Sequence, residues 1–123
     1  RFKNAADKVE AAALVKRVYE QRLENFPTKD PAKAHSNYAS FLIKNKLGTD
    51  QEIFDILQLA YSIDPTRMSV KNIYRYFQGI TDTYKDTNPQ KVFDTYDDVL
   101  ESVAKKLLFS LILGSFYFFV RSI

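Results

Sequence analysis

The side chains best placed to do chemistry are cations and amides that recur along two stretches with helical spacing. Lys33, Asn37, Ser40 and Lys44 follow one another at intervals of four, three and four residues, and Lys71, Arg75, Gln78 and Asp82 repeat the pattern. On a helix this spacing puts each set on one face. Lysine and arginine on such a face form charge-assisted hydrogen bonds with carboxylates. The stripes therefore suit an acidic peptide or a free C-terminal carboxylate. Tyr74 and Tyr76 offer an aromatic surface beside the second stripe, with core packing the expected fate of Tyr74.

Nothing else in the chain converges on a reaction. His35 is the single histidine and there is no cysteine, which excludes paired histidine metal motifs and a thiol nucleophile. His35 reads as a surface or helix-packing residue. Asp94, Asp97, Asp98 and Glu101 crowd one stretch, but an acid–base pair needs a cleft and a shifted pKa. Four acids on one helix read instead as a solvated face. Asp82, Asp86 and Asn88 lack the glycine and terminal glutamate of a calcium loop. The three glycines are isolated, so there is no phosphate-cradling loop. The expectation is a non-enzyme without metal or cofactor. A net charge of +3 is mildly basic, yet no compact Lys/Arg cluster interleaves with aromatics, which argues against nucleic acid.

The elements that position the stripes can be read from punctuation and periodicity. With 46% apolar and 27% charged residues among 123, the chain is globular and long enough for one modest core. A first helix is expected over 5–26, with Val15, Val18, Tyr19, Leu23 and Phe26 on one side and Pro27 ending it. Asp30-Pro31 caps and starts a second over 32–46, followed by Gly48 as the left-handed residue after its last turn. Thr49 and Glu52 form a capping box for a third over 50–63. Ser69 caps a fourth over 69–85, and Asn88-Pro89 starts a fifth over 89–106. Short links require antiparallel neighbours. Ala39, Leu42, Ile53, Leu57, Ala60, Ile73, Phe77 and Phe93 are the expected core. The fold class is all-α.

Two periodicities run through these helices. Asp30-Pro31 and Asp64-Pro65 lie 34 residues apart, and the triplets starting at Val18, Ile53 and Val92 are separated by 35 and 39 residues. Thirty-four is the period of the tetratricopeptide repeat. From Ala32 to Pro65 the chain resembles that family: Ala39, Gly48, Ala60 and Pro65 stand where it has its small helix-A residue, inter-helix glycine, helix-B alanine and terminal proline. His35 lies near the place of the usual tryptophan, and the third repeat has Gly79 with a longer internal loop. Lys33-x-x-x-Asn37 and Lys71-x-x-x-Arg75 resemble the carboxylate clamp of chaperone-binding members, which spreads over three A helices where this chain has two. The resemblance implies a short α-solenoid of about two and a half repeats over 1–106. It also implies a protein or peptide ligand on a shared concave A-helix surface. Asn88 to Val99 resembles uncharacterised repeat proteins of Bacteroidetes bacteria, which implies a bacterial cytoplasm or cell envelope and no particular activity.

After Lys105-Lys106 the composition changes. Residues 107–120 carry no charge and would span about 21 Å as a helix, against about 30 Å of bilayer hydrocarbon. Residues 107–123 therefore read as a separate apolar C-terminal segment with three fates. It can anchor in a membrane, with Lys105, Lys106 and Arg121 snorkelling and residues 116–119 at the interface. It can pack as a helix or a homodimer contact. It can also be foreign to the domain. The functional alternative is then a membrane-linked structural or oligomerisation protein.

Overall fold

The computed structural model describes residues 5–25 and 29–122, and the side chains of 6–22 and 29–112. The described residues form five α-helices and one 3-10 turn, with no strand: α1 Ala5–Asn25, α2 Pro31–Lys44, α3 Asp50–Ile63, η1 Pro65–Arg67, α4 Val70–Tyr84 and α5 Pro89–Ser122. The chain divides into two compact units, Arg1–Met68 and Ser69–Ile123.

In the first unit the punctuation works largely as the sequence indicates. The Asp30 carboxylate accepts the Lys33 amide and Pro31 occupies the first turn of α2. Thr49 Oγ1 accepts the Glu52 amide at 3.1 Å. The other half of the expected box differs: the Glu52 carboxylate accepts from the Thr49 hydroxyl at 3.3 Å. The five-residue link and the contact between α2 and α3 make them an antiparallel hairpin. Ala32, His35, Ser36, Ala39 and Leu42 form the buried face of α2, and Leu57 and Ala60 that of α3.

Helix α2 ends differently from expectation. Lys46, not Gly48, is the left-handed residue immediately past its cap, with φ 55°. The Leu47 amide bonds the Leu42 carbonyl at 2.9 Å, and the Lys46 amide bonds that of Ile43 at 3.2 Å. This paired arrangement closes a helix end, and Leu42 and Leu47 are both buried beside it. Gly48 is also left-handed, at φ 74°, two residues later in the turn to α3.

Asp64-Pro65 does not start an α-helix. Asp64 takes the Thr66 amide and hydroxyl, and Pro65 opens only the single turn η1. Helix α4 begins after Ser69, whose hydroxyl accepts the Asn72 amide at 3.1 Å. Helix starts therefore recur at 39 residues, from Pro31 to Val70 and from Asp50 to Pro89, rather than at the 34 of the Asp-Pro pairs. Gln51 donates to Asp55 and Gln90 to Asp94 at the same 39-residue offset.

Helix α1 presents Val9, Leu14 and Val18 to solvent, whereas Val15 and Tyr19 of the expected stripe are half-buried. Its Tyr19 ring stacks on Tyr38 of α2, with centroids 3.9 Å apart. Phe26 and Pro27 lie outside the described residues, as does the Leu23 side chain.

In the second unit α4 packs on α5. Asn72, Ile73, Tyr76 and Ile80 of α4 are buried, as are Val99, Ser102 and Val103 of α5. Phe77 and Ile53 are half-buried. Phe93, expected in the core, is 63% exposed. Helix α5 has two apolar faces, and the one containing Val99 and Val103 is buried. Nor does the helix stop at 106: it continues through Ser122, because Ala104-Lys105-Lys106-Leu107-Leu108 contains only good helix formers and no glycine or proline. Among the described residues no helix is long and apolar enough to cross a membrane. The roles suggested for the side chains at 116–119 and for Arg121 lie outside the described side chains.

Candidate functional sites

Helix α2 carries its polar stripe opposite its buried face. Lys33, Asn37 and Lys44 are exposed and Ser40 is half-buried. The reason is local: the apolar and small residues of α2 recur at 32, 35, 36, 39 and 42, which claims one side for α3 and leaves 33, 37, 40 and 44 to solvent.

Helix α4 carries the second stripe, in the second unit. Lys71 and Gln78 are exposed and Arg75 is half-buried. Two members already have partners on their own helix. Arg75 Nη1 donates to the Asn72 Oδ1 at 3.0 Å, and Gln78 Nε2 donates to Asp82 at 2.9 Å. An incoming carboxylate must compete with these bonds for Arg75 and Gln78, whereas Lys71 extends from an exposed position. The tyrosines reverse their expected roles: Tyr76 is buried and Tyr74 is exposed. The three-residue offset from Ile73 to Tyr76 keeps Tyr76 on the packed face of α4.

His35 is buried on α2, where Tyr19 reaches it. The Tyr19 hydroxyl hydrogen-bonds Nδ1 of His35, and the two rings meet edge-on at 5.7 Å. Burial pushes the imidazole pKa below its ordinary 6.5, because the charged form loses hydration. This is a packing histidine serving as the polar anchor of α1.

The acidic stretch of α5 borders an open polar cleft of about 420 Å³ in the second unit, lined by Tyr76, Asn88, Gln90, Lys91, Asp94, Thr95 and Asp98. The Asn88 side chain is occupied in capping α5 through the Lys91 amide. Asp94 accepts from Gln90, and the Lys91 ammonium lies 5.4 Å from the centre of the Tyr84 ring. Burial first, then the charge of Asp98, raises the Tyr76 phenol pKa. Among the described residues no three His, Cys, Asp or Glu side chains are placed to hold a metal ion. The sequence reading singled out Asn88, Asp94 and Asp98 but not the cleft, because the wall supplied by Tyr76 depends on how α4 meets α5. No protein-family model matches the chain, and neither a curated protein nor a solved structure matches it.

Proposed function

We propose that the chain is a non-catalytic scaffold, a short α-solenoid of tetratricopeptide-like helix pairs that binds a protein or peptide along its A-type helices. The observation that carries this reading is the recurrence of one solvent-facing polar pattern, Lys33, Asn37, Ser40 and Lys44 on α2 and Lys71, Arg75 and Gln78 on α4. The 39-residue recurrence of helix starts supports a repeated helix pair, longer than the 34-residue tetratricopeptide unit. Lys33, Lys44, Lys71 and Arg75 favour an acidic ligand, held by charge-assisted bonds in a solvated, salt-sensitive setting. The reading requires both stripes to serve one ligand. Titrating acidic C-terminal peptides against the wild-type chain, Lys44→Ala, Arg75→Ala and the double variant tests this. Losses that fail to add mean one ligand senses both helices. Unchanged binding in all variants reduces the stripes to solvated faces.

A second reading rests on a separate observation. Leu107, Leu108, Phe109, Leu111 and Ile112 are all exposed, so this part of α5 is apolar around its circumference. The protein is then a structural or oligomerising element that associates through the C-terminal half of α5. Comparing the chain with one ending at residue 106 checks it: equal sedimentation and equal flotation with lipid vesicles would remove its basis.

A further inference from the structure

We infer that α1 is a releasable arm, latched onto α2 through Tyr19 and freed when His35 takes up a proton. The inference goes beyond both functional readings and depends on neither. Among the described residues α1 packs extensively against no other element, and its Val9, Leu14 and Val18 face solvent. Its contact with α2 centres on Tyr19. That ring stacks on Tyr38, with centroids 3.9 Å apart and 11° between the planes. The same ring meets His35 edge-on, and its hydroxyl hydrogen-bonds Nδ1. His35 and Tyr38 lie three residues apart on α2, on one side of the helix, so a single tyrosine engages both.

The latch suits a neutral imidazole. His35 is 8% exposed, and a buried cation needs either a facing anion or water. From α1 the titratable group that reaches the ring is Tyr19. Glu20 of α1 and Glu52 of α3 act on Tyr38. Asp30, at the start of α2, and Arg67 of η1 pair with each other, Asp64 holds Thr66, and Lys33 is exposed. Burial is accordingly what moves the His35 pKa, and it moves it down. Protonation also leaves Nδ1 able only to donate, so the Tyr19 hydroxyl must turn its own proton elsewhere. Lifting α1 hydrates the imidazolium at the loss of one ring stack and one hydrogen bond. Parting α2 from α3 instead would open the core of Ala39, Leu42, Leu57 and Ala60. The arm is therefore the part that yields.

The test uses the full chain, which has no cysteine, so that Leu14→Cys at an exposed position of α1 takes a single nitroxide label. Paramagnetic broadening of the α2 amides around Tyr38 then reports whether α1 is docked. Between about pH 7.5 and about pH 5 the broadening is expected to fall at least about twofold, with the midpoint of the His35 ring titration. The α2 and α3 amides are expected to stay dispersed. His35→Gln, which keeps an acceptor for Tyr19 without a titrating ring, is expected to stay broadened at both values. Should that variant fail to hold α1 at either, the His35 titration decides. Tyr19→Ala is expected to raise the His35 pKa toward 6.5 and to abolish the pH dependence of the broadening. Three results overturn the inference. One is broadening in the wild type that persists while His35 titrates. Another is collapse of the α2 and α3 amides together with release, which means that the whole unit unfolds. The third is a His35 pKa that ignores Tyr19→Ala.

Discussion

Asp30 and Arg67, 37 residues apart, join the start of α2 to the turn before α4. One carboxylate oxygen of Asp30 accepts from Arg67 Nε at 2.8 Å and Nη2 at 2.6 Å. The other accepts the Lys33 amide at 3.3 Å. A single side chain thus caps a helix and tethers η1 to it. The Arg67 hydrogen bond is the main reason the Asp30 carboxyl is held below its ordinary 3.8; burial opposes it, and the Lys33 amide adds to the lowering.

This pair has a pH signature. Because the folded-state pKa is lowered, the stabilisation is complete above the ordinary value and fades as pH falls through the lower folded value. Arg67→Ala is expected to move the Asp30 carboxyl titration, followed by NMR, upward toward 3.8. An Asp30 titration that ignores the substitution contradicts the tether.

His35 gives a second dependence in a higher range. Its pKa is lowered by burial, so the unfolded chain takes up a proton first as pH falls. The stabilisation is complete above 6.5 and is lost progressively as pH drops below it. Protonation puts a hydrogen on both ring nitrogens, so Nδ1 can then only donate to the Tyr19 oxygen. Urea midpoints at about pH 7.5 and about pH 5 are expected to differ, and Tyr19→Phe is expected to cost about 0.5–1.5 kcal/mol at the higher value. Equal midpoints would show that the imidazole is hydrated in the folded state.

Leu57 is 2% exposed in the α2–α3 hairpin. Leu57→Ala is expected to cost about 2–5 kcal/mol in chemical denaturation, combining lost apolar burial with a residual cavity. A loss below about 1 kcal/mol would mean that the site collapses around the smaller side chain.

The two left-handed residues after α2 are expected to respond differently. A Cβ on Gly48 would meet only ordinary contacts, Leu42 Cδ1 at 3.6 Å and Glu52 Oε2 at 3.9 Å. Gly48→Ala therefore costs the backbone term alone, about 1–2 kcal/mol. Lys46→Gly relieves a comparable strain but loosens the unfolded chain, so its net effect is expected to stay under about 0.5 kcal/mol. Thermal melts of both variants check the contrast.

Helix positions were legible because their signals are local. Asp30-Pro31, Thr49 and Ser69 mark starts by side-chain bonds to amides only three residues away. Partner choice is not local, and there the reading went astray. Val92, Phe93, Tyr96, Val99, Leu100 and Val103 look like one broad stripe, but α4 buries the side with Val99 and Val103 and leaves Phe93 exposed. Asp64-Pro65 carries the same dipeptide as Asp30-Pro31, yet Asp64 spends its carboxylate on Thr66 and the turn ends at Arg67. The polar stripes of α2 and α4 were legible as exposed faces, while the bonds from Arg75 to Asn72 and from Gln78 to Asp82 depend on rotamers that spacing does not specify.

The pairing of α2 with α3 and of α4 with α5 joins helices that are consecutive in the chain. Each hairpin closes a link of only a few residues, so little chain entropy is spent before its apolar contacts form. Folding through such near-neighbour contacts is fast, on the order of microseconds to milliseconds.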